Sequence, residues 1–322
     1  MTGVLGMSSM ERIQGIPKVS VIMNCLNGAK YLREAIDSVY AQTYTDWEIV
    51  FWDNASTDNS AEIAKNYDER LRYFRGEEIV LLGKARNWAI EKARGEYIAF
   101  LDSDDIWLPD KLKKQTDLIE NNLEIDFVYS NFIIFDMEYN KRTAALKGKQ
   151  PEGYVFEHFL YRYPVGLLTA MIRKEAFKSI EGLFDADIKF SADYDLFMRI
   201  LYKSKAAYIY ETTAIYRIHS DMDSIKNIKH FADENTYIIN KLKYMDENIE
   251  GRYSKAFRYC ETQVEYLRGK AHMANGELKE ARKHFAPYKI VNLKFFIFYI
   301  SSHIPARLWF LLRPIWARGA FR

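Results

Sequence analysis

Three apolar runs early in the chain each break off at a cluster of side chains able to hold a ligand. Val19-Ser20-Val21-Ile22-Met23 runs into Asn24-Cys25-Leu26-Asn27, and Glu48-Ile49-Val50-Phe51-Trp52 into Asp53-Asn54. Tyr97-Ile98-Ala99-Phe100-Leu101 runs into Asp102-Ser103-Asp104-Asp105. Between them lie segments with helical spacing: Leu32, Ile36, Val39 and Tyr40 recur along 29–42, and a third helix is expected over 84–94. Asn59-Ser60-Ala61-Glu62 reads as a capping box opening the helix in between. With Leu71-Arg72-Tyr73-Phe74 as a strand, the order is βαβαβαβ with short links. That alternation implies an α/β fold, a mostly parallel sheet flanked by helices on both faces. Ligands bind such sheets outside the carboxyl ends of the strands, so the three polar clusters share one crevice edge.

The chemistry of that edge follows from its charges. Three carboxylates within four residues repel one another unless a cation or hydrogen-bonding ligand offsets them, and hard oxygen ligands suit Mg²⁺ or Mn²⁺. Asp is also common at helix starts, and Asp105 ahead of Ile106-Trp107-Leu108-Pro109-Asp110-Lys111-Leu112 fits that role too. A nucleotide needs hydrogen-bond partners for its base, a carboxylate for its ribose and a cation for its diphosphate. Asp53 or Asn54, Asp102 and Asp104 can supply these in turn.

Beyond residue 111 the pattern loosens into a helix to about 121, a strand over 126–135, a polar turn over 138–153 and a strand over 168–172. From 231 onward only helices are expected, over 237–244, 254–273 and 278–285. At 322 residues, with 48% hydrophobic and 28% charged side chains, the chain can bury a full core. A net charge of +2 excludes a general nucleic-acid binder. Two distant cysteines, Cys25 and Cys260, fit a reducing compartment. Residues 1–17 lack the apolar core of a secretory signal and read as a loose leader.

The end of the chain is different in charge. No acidic residue follows Glu280, while Arg282, Lys283, Lys289, Lys294, Arg307, Arg313, Arg318 and Arg322 do. Phe295, Phe296, Phe298, Tyr299, Leu308, Trp309, Phe310, Leu311, Leu312, Ile315 and Trp316 are interleaved with them. A helix lying in an anionic membrane interface over 290–322 has this composition; so does a helical cap with surface arginines. The apolar stretch is too interrupted to span a bilayer.

Taken together, the motifs resemble family 2 glycosyltransferases of the GT-A fold, over residues 18–221. Val19-Ser20-Val21-Ile22-Met23 with Asn27-Gly28, Ala41-Gln42-Thr43-Tyr44, Asp53-Asn54-Ala55-Ser56-Thr57-Asp58, Ala85-Arg86-Asn87 and the 95–105 segment ending in Asp102-Ser103-Asp104-Asp105 fall in family order. Ser191-Ala192-Asp193-Tyr194-Asp195-Leu196 is similar to the family's acidic motif and Tyr216-Arg217-Ile218-His219 to its late histidine motif. The resemblance implies a GT-A domain over 18–225, followed by a helical region over 226–322. It implies Asp102 on the ribose, a divalent Mn²⁺ or Mg²⁺ at Asp104 with His219 as a further ligand, Asp105 in support, and Asp193 as general base of an inverting transfer. Asp195, two residues on, points to another helix face and is placed in support or on the acceptor side. Gly166 and Thr169 resemble the flexible segment lining the acceptor side, and a plain turn fits them equally. Lys84 and Arg86 are candidate diphosphate contacts or a solvated helix face.

The departures bear on the donor. Many family members carry a second Asp where Asn54 stands and an aromatic where Leu26 stands, and Asn24 is also unusual. Asn54 can accept the uracil N3–H through its carbonyl oxygen, so a UDP-sugar fits, with dTDP and GDP left open. Leu26 removes a stacking face that Trp52 can replace. The implied role is polysaccharide or cell-envelope biosynthesis, transferring a sugar to a saccharide or lipid-linked glycan, in the cytoplasm or peripherally on the inner face of its membrane. Two rivals are a nucleotidyltransferase acting on a sugar phosphate and a non-catalytic nucleotide-sugar-binding scaffold.

Overall fold

The computed structural model describes residues 15–219, 228–290, 293–305 and 308–309. The first half alternates as the periodicity predicts: β1 (Val19–Cys25), α1 (Ala29–Tyr40), β2 (Trp47–Asp53), α2 (Ser60–Lys65), β3 (Leu71–Arg75), α3 (Leu82–Lys92) and β4 (Tyr97–Phe100). These strands pair in parallel in the order β3-β2-β1-β4. Every residue of β1, β2 and β4 is buried, as expected of strands covered on both faces.

The second half is mixed. β5 (Ile106–Trp107), α4 (Lys111–Glu120), β6 (Ile125–Asp136), β7 (Lys141–Ala144), α5 (Phe156–Tyr161), β8 (Met171–Arg173), α6 (Ala192–Leu201) and β9 (Lys205–Ile218) follow. Antiparallel β8 links β4 to β6, and β9 runs parallel to β6, extending the sheet to nine strands. Two expectations need correction here. The segment 168–172 is a 3₁₀ turn, Leu167–Thr169, before the short β8. The polar turn over 138–153 contains the fully exposed strand β7, which pairs with β6 and has no apolar alternation to reveal it.

The capping box at 59–62 also fails to form. No side chain of Asn59 caps α2. The Ser60 hydroxyl instead accepts the Gly28 N–H (3.0 Å), and Asp58 accepts the N–H groups of Ala29 and Ser60 (3.0 Å each). The polar side chains after β2 are used to hold the loop after β1.

The remaining helices are α7 (Ile228–Lys243), α8 (Ile249–Arg252), α9 (Ser254–Asn275), α10 (Leu278–Phe285) and α11 (Leu293–Ser301). Ile238, Ile239, Leu242, Phe257, Cys260 and Val264 of this region share one core with Ile22, Val50, Phe100 and Phe197 of the sheet layer. A second core fills the opposite face, under α1 and α4. A third, small core at the end of the chain holds Met273, Phe285, Phe295 and Trp309.

Candidate active site

The ends of β1, β2 and β4 lie side by side, because Asn24 pairs in register with Trp52 and Ile22 with Phe100. Side chains alternate along a strand, so Asn24, Trp52 and the position after Leu101 fall on the sheet face covered by α3. Asn27 and Ala55, in the loops that follow, have positive φ values of 54° and 60°. Asn27 is tied across to the second loop: its N–H donates to Ser56 Oγ (3.0 Å) and its side-chain oxygen accepts the Thr57 N–H (2.8 Å).

Asp53 and Asn54 sit inside this framework with their polar atoms engaged. The fully buried Asp53 carboxylate accepts the Ser56 N–H (2.7 Å), the Tyr73 hydroxyl (2.6 Å) and the Arg75 guanidinium (2.6 Å). The Asn54 amide donates to the Val80 carbonyl (2.8 Å) and accepts the Val80 N–H (3.2 Å). Read from the sequence as nucleotide contacts, both side chains here shape the loop. The Asn24 amide is the opposite case: it is 6% exposed, and neither its oxygen nor its nitrogen has a hydrogen-bond partner among the described residues. A buried amide left unsatisfied is costly, which marks this spot as prepared for a ligand. Leu26 stands exposed at the rim.

Beyond β4, the acidic loop is braced from several elements. Arg86, buried on α3, places its guanidinium 2.7 Å from Asp102. Lys84, by contrast, is exposed, with its ammonium 5.0 Å from the Trp88 ring centroid. Asp105 is buried and accepts the Arg217 N–H (3.0 Å). The Arg217 guanidinium also donates to the Asp104 carbonyl and to Glu34 (2.7 Å). Arg217 lay within the late motif, yet nothing in the sequence distinguished it from a surface arginine; its near-complete burial does.

His219 Nε2 lies 3.1 Å from Asp104 Oδ2, with the ring against Tyr31 (centroids 4.7 Å). Burial and the neighbouring Asp102 raise the Asp104 pKa above its ordinary value, while His219 opposes them. Asp105 is pushed up further, by burial and by Asp104 and Asp102. No group of three or more His, Cys, Asp or Glu side chains able to hold a metal occurs among the described residues. Asp104 and His219 nevertheless fit a divalent cation that takes its other ligands from phosphate and water, and the excess negative charge of the loop favours one.

Asp193 is in the first turn of α6 and half-buried. Burial raises its pKa, Arg86 partly offsets this, and Asp102 adds to it, so the three groups share one electrostatic neighbourhood. Asp195 belongs elsewhere. It is fully buried and clasped by Arg199 (2.7 Å) and Lys241 (3.1 Å), which corrects its assignment to the acceptor side. Thr169 is likewise fully buried, donating to the Gly166 carbonyl (2.7 Å), while its own carbonyl accepts the Gln115 amide (2.6 Å). A methyl group on Gly166 would stand 3.0 Å from Leu168 and 3.2 Å from Phe132. These two residues form a packed support, not a flexible lining.

Residues 20–180 match glycosyl transferase family 2. A putative teichuronic acid biosynthesis glycosyltransferase of Bacillus subtilis, TuaG, is 33% identical over 229 residues, 69% of this chain and 87% of that one. The chain belongs to glycosyl transferase family 2. Another relative, the UDP-Glc:alpha-D-GlcNAc-diphosphoundecaprenol beta-1,3-glucosyltransferase WfgD of Escherichia coli, is 32% identical over 184 residues, 57% of this chain and 69% of that one. The match to a glycosyltransferase of Rickettsia typhi spans 64% of that protein's length. Among solved structures, the mannosyltransferase PcManGT from Pyrobaculum calidifontis, in complex with GDP-Man and Mn²⁺, superposes with a TM-score of 0.59 at 16% identity, over 96% of this chain and 87% of that one. The family 2 chain thus has the GT-A fold with a C-terminal helical region. Asp193, Arg217 and His219 lie beyond the matched stretch 20–180.

Proposed function

We propose that this family 2 chain is an inverting glycosyltransferase that uses a divalent metal and a nucleoside diphosphate sugar, a UDP-sugar first, to extend a saccharide or lipid-linked saccharide. The observation that carries the reading is Asp193, a half-buried carboxylate of raised pKa beside Arg86 and Asp102. A base of raised pKa is suited to take a proton near neutral pH. Asp193 removes the proton from the acceptor hydroxyl as its oxygen bonds to the anomeric carbon, and the bond from that carbon to the diphosphate oxygen breaks with its electron pair leaving on the nucleotide. One displacement inverts the centre. Asp102 holds the ribose hydroxyls, the orphaned Asn24 amide meets the base, and Arg86 keeps Asp102 oriented. Asp104 and His219 would hold the metal, which would supply positive charge to offset that of the departing diphosphate.

Calorimetric titration of UDP, dTDP and GDP with Mn²⁺ and then with EDTA, on the wild type and Asp104→Ala, tests donor and metal together. One nucleotide that binds tightly only with metal, and is lost in the variant, supports the reading. Binding by none of them moves the chain to the scaffold class, and release of pyrophosphate from a nucleoside triphosphate moves it to the nucleotidyltransferases.

A membrane-facing acceptor has its own support. Leu293, Phe296, Ile297 and Ile300, at helical spacing on α11, are all exposed, with Ile290 and Leu308 exposed nearby. Phe295 and Trp309 instead are buried in the third core, and Trp309 donates to the Met273 carbonyl (3.0 Å), so the aromatic tail divides between a cap and an outer face. Residues 310–322 lie outside the described residues, as does the leader before residue 15. No described helix is long and apolar enough to cross a membrane. The outer face, with no acidic residue after Glu280, suits the surface of an anionic bilayer. Equal sedimentation of the wild type and Phe296→Glu/Ile300→Glu with anionic liposomes would remove this part of the proposal.

A further inference from the structure

A cavity of about 270 Å³ opens between the sheet layer and the C-terminal helices, walled by α5, α6, α7 and α9. Its aromatic lining includes Tyr161, Tyr163, Tyr194 and Tyr259. Tyr163 and Tyr194 meet edge to face with centroids 4.9 Å apart, and Tyr161 and Tyr259 are 5.3 Å apart at the other side. Tyr194 follows Asp193 in the first turn of α6, and the Asp193 charge adds to the burial that pushes up the Tyr163 hydroxyl. Two of the lining tyrosines, Tyr163 and Tyr194, therefore stand beside the proposed base, which is itself outside the lining.

Its polar groups are few and unspent. The Tyr163 hydroxyl is buried without a hydrogen-bond partner among the described residues. The side-chain amides of Asn235 and Gln263, also in the lining, have no hydrogen bond to any described residue. No lining residue is charged. A diphosphate calls for cationic or N–H donors in number, so neither the nucleotide nor a lipid pyrophosphate suits this wall. A hydrocarbon chain would leave a buried hydroxyl unsatisfied at a cost. An uncharged sugar ring matches both sets of features, with apolar C–H faces for the tyrosine rings and hydroxyl edges for the amides and phenol. Ligand pockets in general combine mostly apolar walls with a few placed polar groups in this way.

We propose that this cavity is the acceptor subsite, holding an uncharged pyranose ring of the acceptor next to Asp193. The inference rests on the reading of Asp193 as the base, and it gives the C-terminal helices a part in acceptor choice: α9 supplies Tyr259 and Gln263, and α7 supplies Asn235. A family 2 chain ending at residue 225 would lack one wall of the subsite.

The test is saturation-transfer NMR on the full chain with UDP present, using methyl α-N-acetylglucosaminide, methyl α-glucoside, methyl α-mannoside and octyl glucoside as probes. Tyr259→Ala and Gln263→Leu are the variants, both at the accessible rim, with thermal melting to verify folding. At least one methyl glycoside should receive saturation on its ring protons, and each variant should weaken it by about three- to tenfold, the loss of one aromatic or hydrogen-bonded contact. UDP affinity should not change. Ring signals that persist undiminished in both variants, no signal from any glycoside, or saturation confined to the alkyl chain of octyl glucoside would each overturn the proposal. Failure of the nucleotide reading shows separately, as absence of UDP binding in the wild type.

Discussion

The Arg86 guanidinium lies 2.7 Å from the Asp102 carboxylate and, through its charge, also steadies the ionised form of Asp193. One buried cation thus acts on two carboxylates. Because burial raises the Asp193 pKa, the acid limb of kcat/KM should fall above the ordinary carboxylate value of about 4. Arg86→Met removes the group that opposes that rise, so the limb should move to higher pH. A limb that stays in place would separate Arg86 from Asp193.

Replacing the proposed base should be more severe. Asp193→Asn is expected to lower transfer by about 100- to 10,000-fold, the range for loss of a general base. Nucleotide affinity, read by calorimetry, should be close to wild type. Unchanged turnover would mean that another group accepts the proton.

Asn24 offers a way to tell a ligand contact from a fold contact. Its amide has no partner to lose among the described residues, so Asn24→Ala should leave the melting temperature unchanged or raise it. Affinity for the preferred nucleotide should fall by about five- to tenfold, as for a lost hydrogen bond. A destabilised variant with intact affinity would assign Asn24 to the core.

Glu48 is a purely structural acid, nearly fully buried at the start of β2. It accepts the Ser20 hydroxyl (2.7 Å), the Arg94 N–H (2.8 Å) and the guanidinium groups of Arg72 and Arg94 (2.9 Å each). Burial alone would raise its pKa, but these donors outweigh it and hold it below the usual carboxylate value. Its stabilisation is therefore complete above the unfolded value of about 4.3 and is lost as pH falls through the lower folded one. Glu48→Gln should cost about 1–3 kcal/mol in urea unfolding at neutral pH, with the gap to wild type closing in acid.

Lys111 runs the other way. It is fully buried on α4, its ammonium 2.6 Å from Gln115 Oε1 and 4.0 Å from the Trp107 ring centroid. Burial holds its pKa well below the ordinary lysine value, so unfolding takes up a proton and stability should climb with pH until the unfolded lysine titrates. In Lys111→Met that climb should be absent, and stability near neutral pH should be equal or higher. Chemical denaturation at pH 6 and 9 measures both.

The parallel half of the fold was legible because its strands are apolar on both faces and end in Asn, Asp and Gly. The acidic loop was legible for the same reason, since carboxylates clustered after a buried strand have few structural uses. What escaped was the division of labour among neighbouring polar residues. Asp53 and Asn54 look alike in sequence to Asp102 and Asn24, but Tyr73, Arg75 and the Val80 backbone, which occupy them, come from β3 and the segment after it. Asp195 differs from Asp193 only by which side of α6 it faces, and Lys241 of α7 decides that. The aromatic cavity was invisible because its walls come from helices distant in the chain.

The acidic loop is braced by partners that are synthesised long after it. Arg217 and His219 stand 113 and 115 residues beyond Asp104, an interval of roughly ten seconds at ordinary rates of translation. Until β9 emerges and docks on β6, Arg86 is the one basic side chain among the described residues of the finished sheet that pairs with the carboxylates of 102–105. A nascent chain stalled before residue 217 should therefore carry a formed parallel half with an unset loop, and competence for the proposed metal should arrive in one step near the end of the ribosome's work on this region.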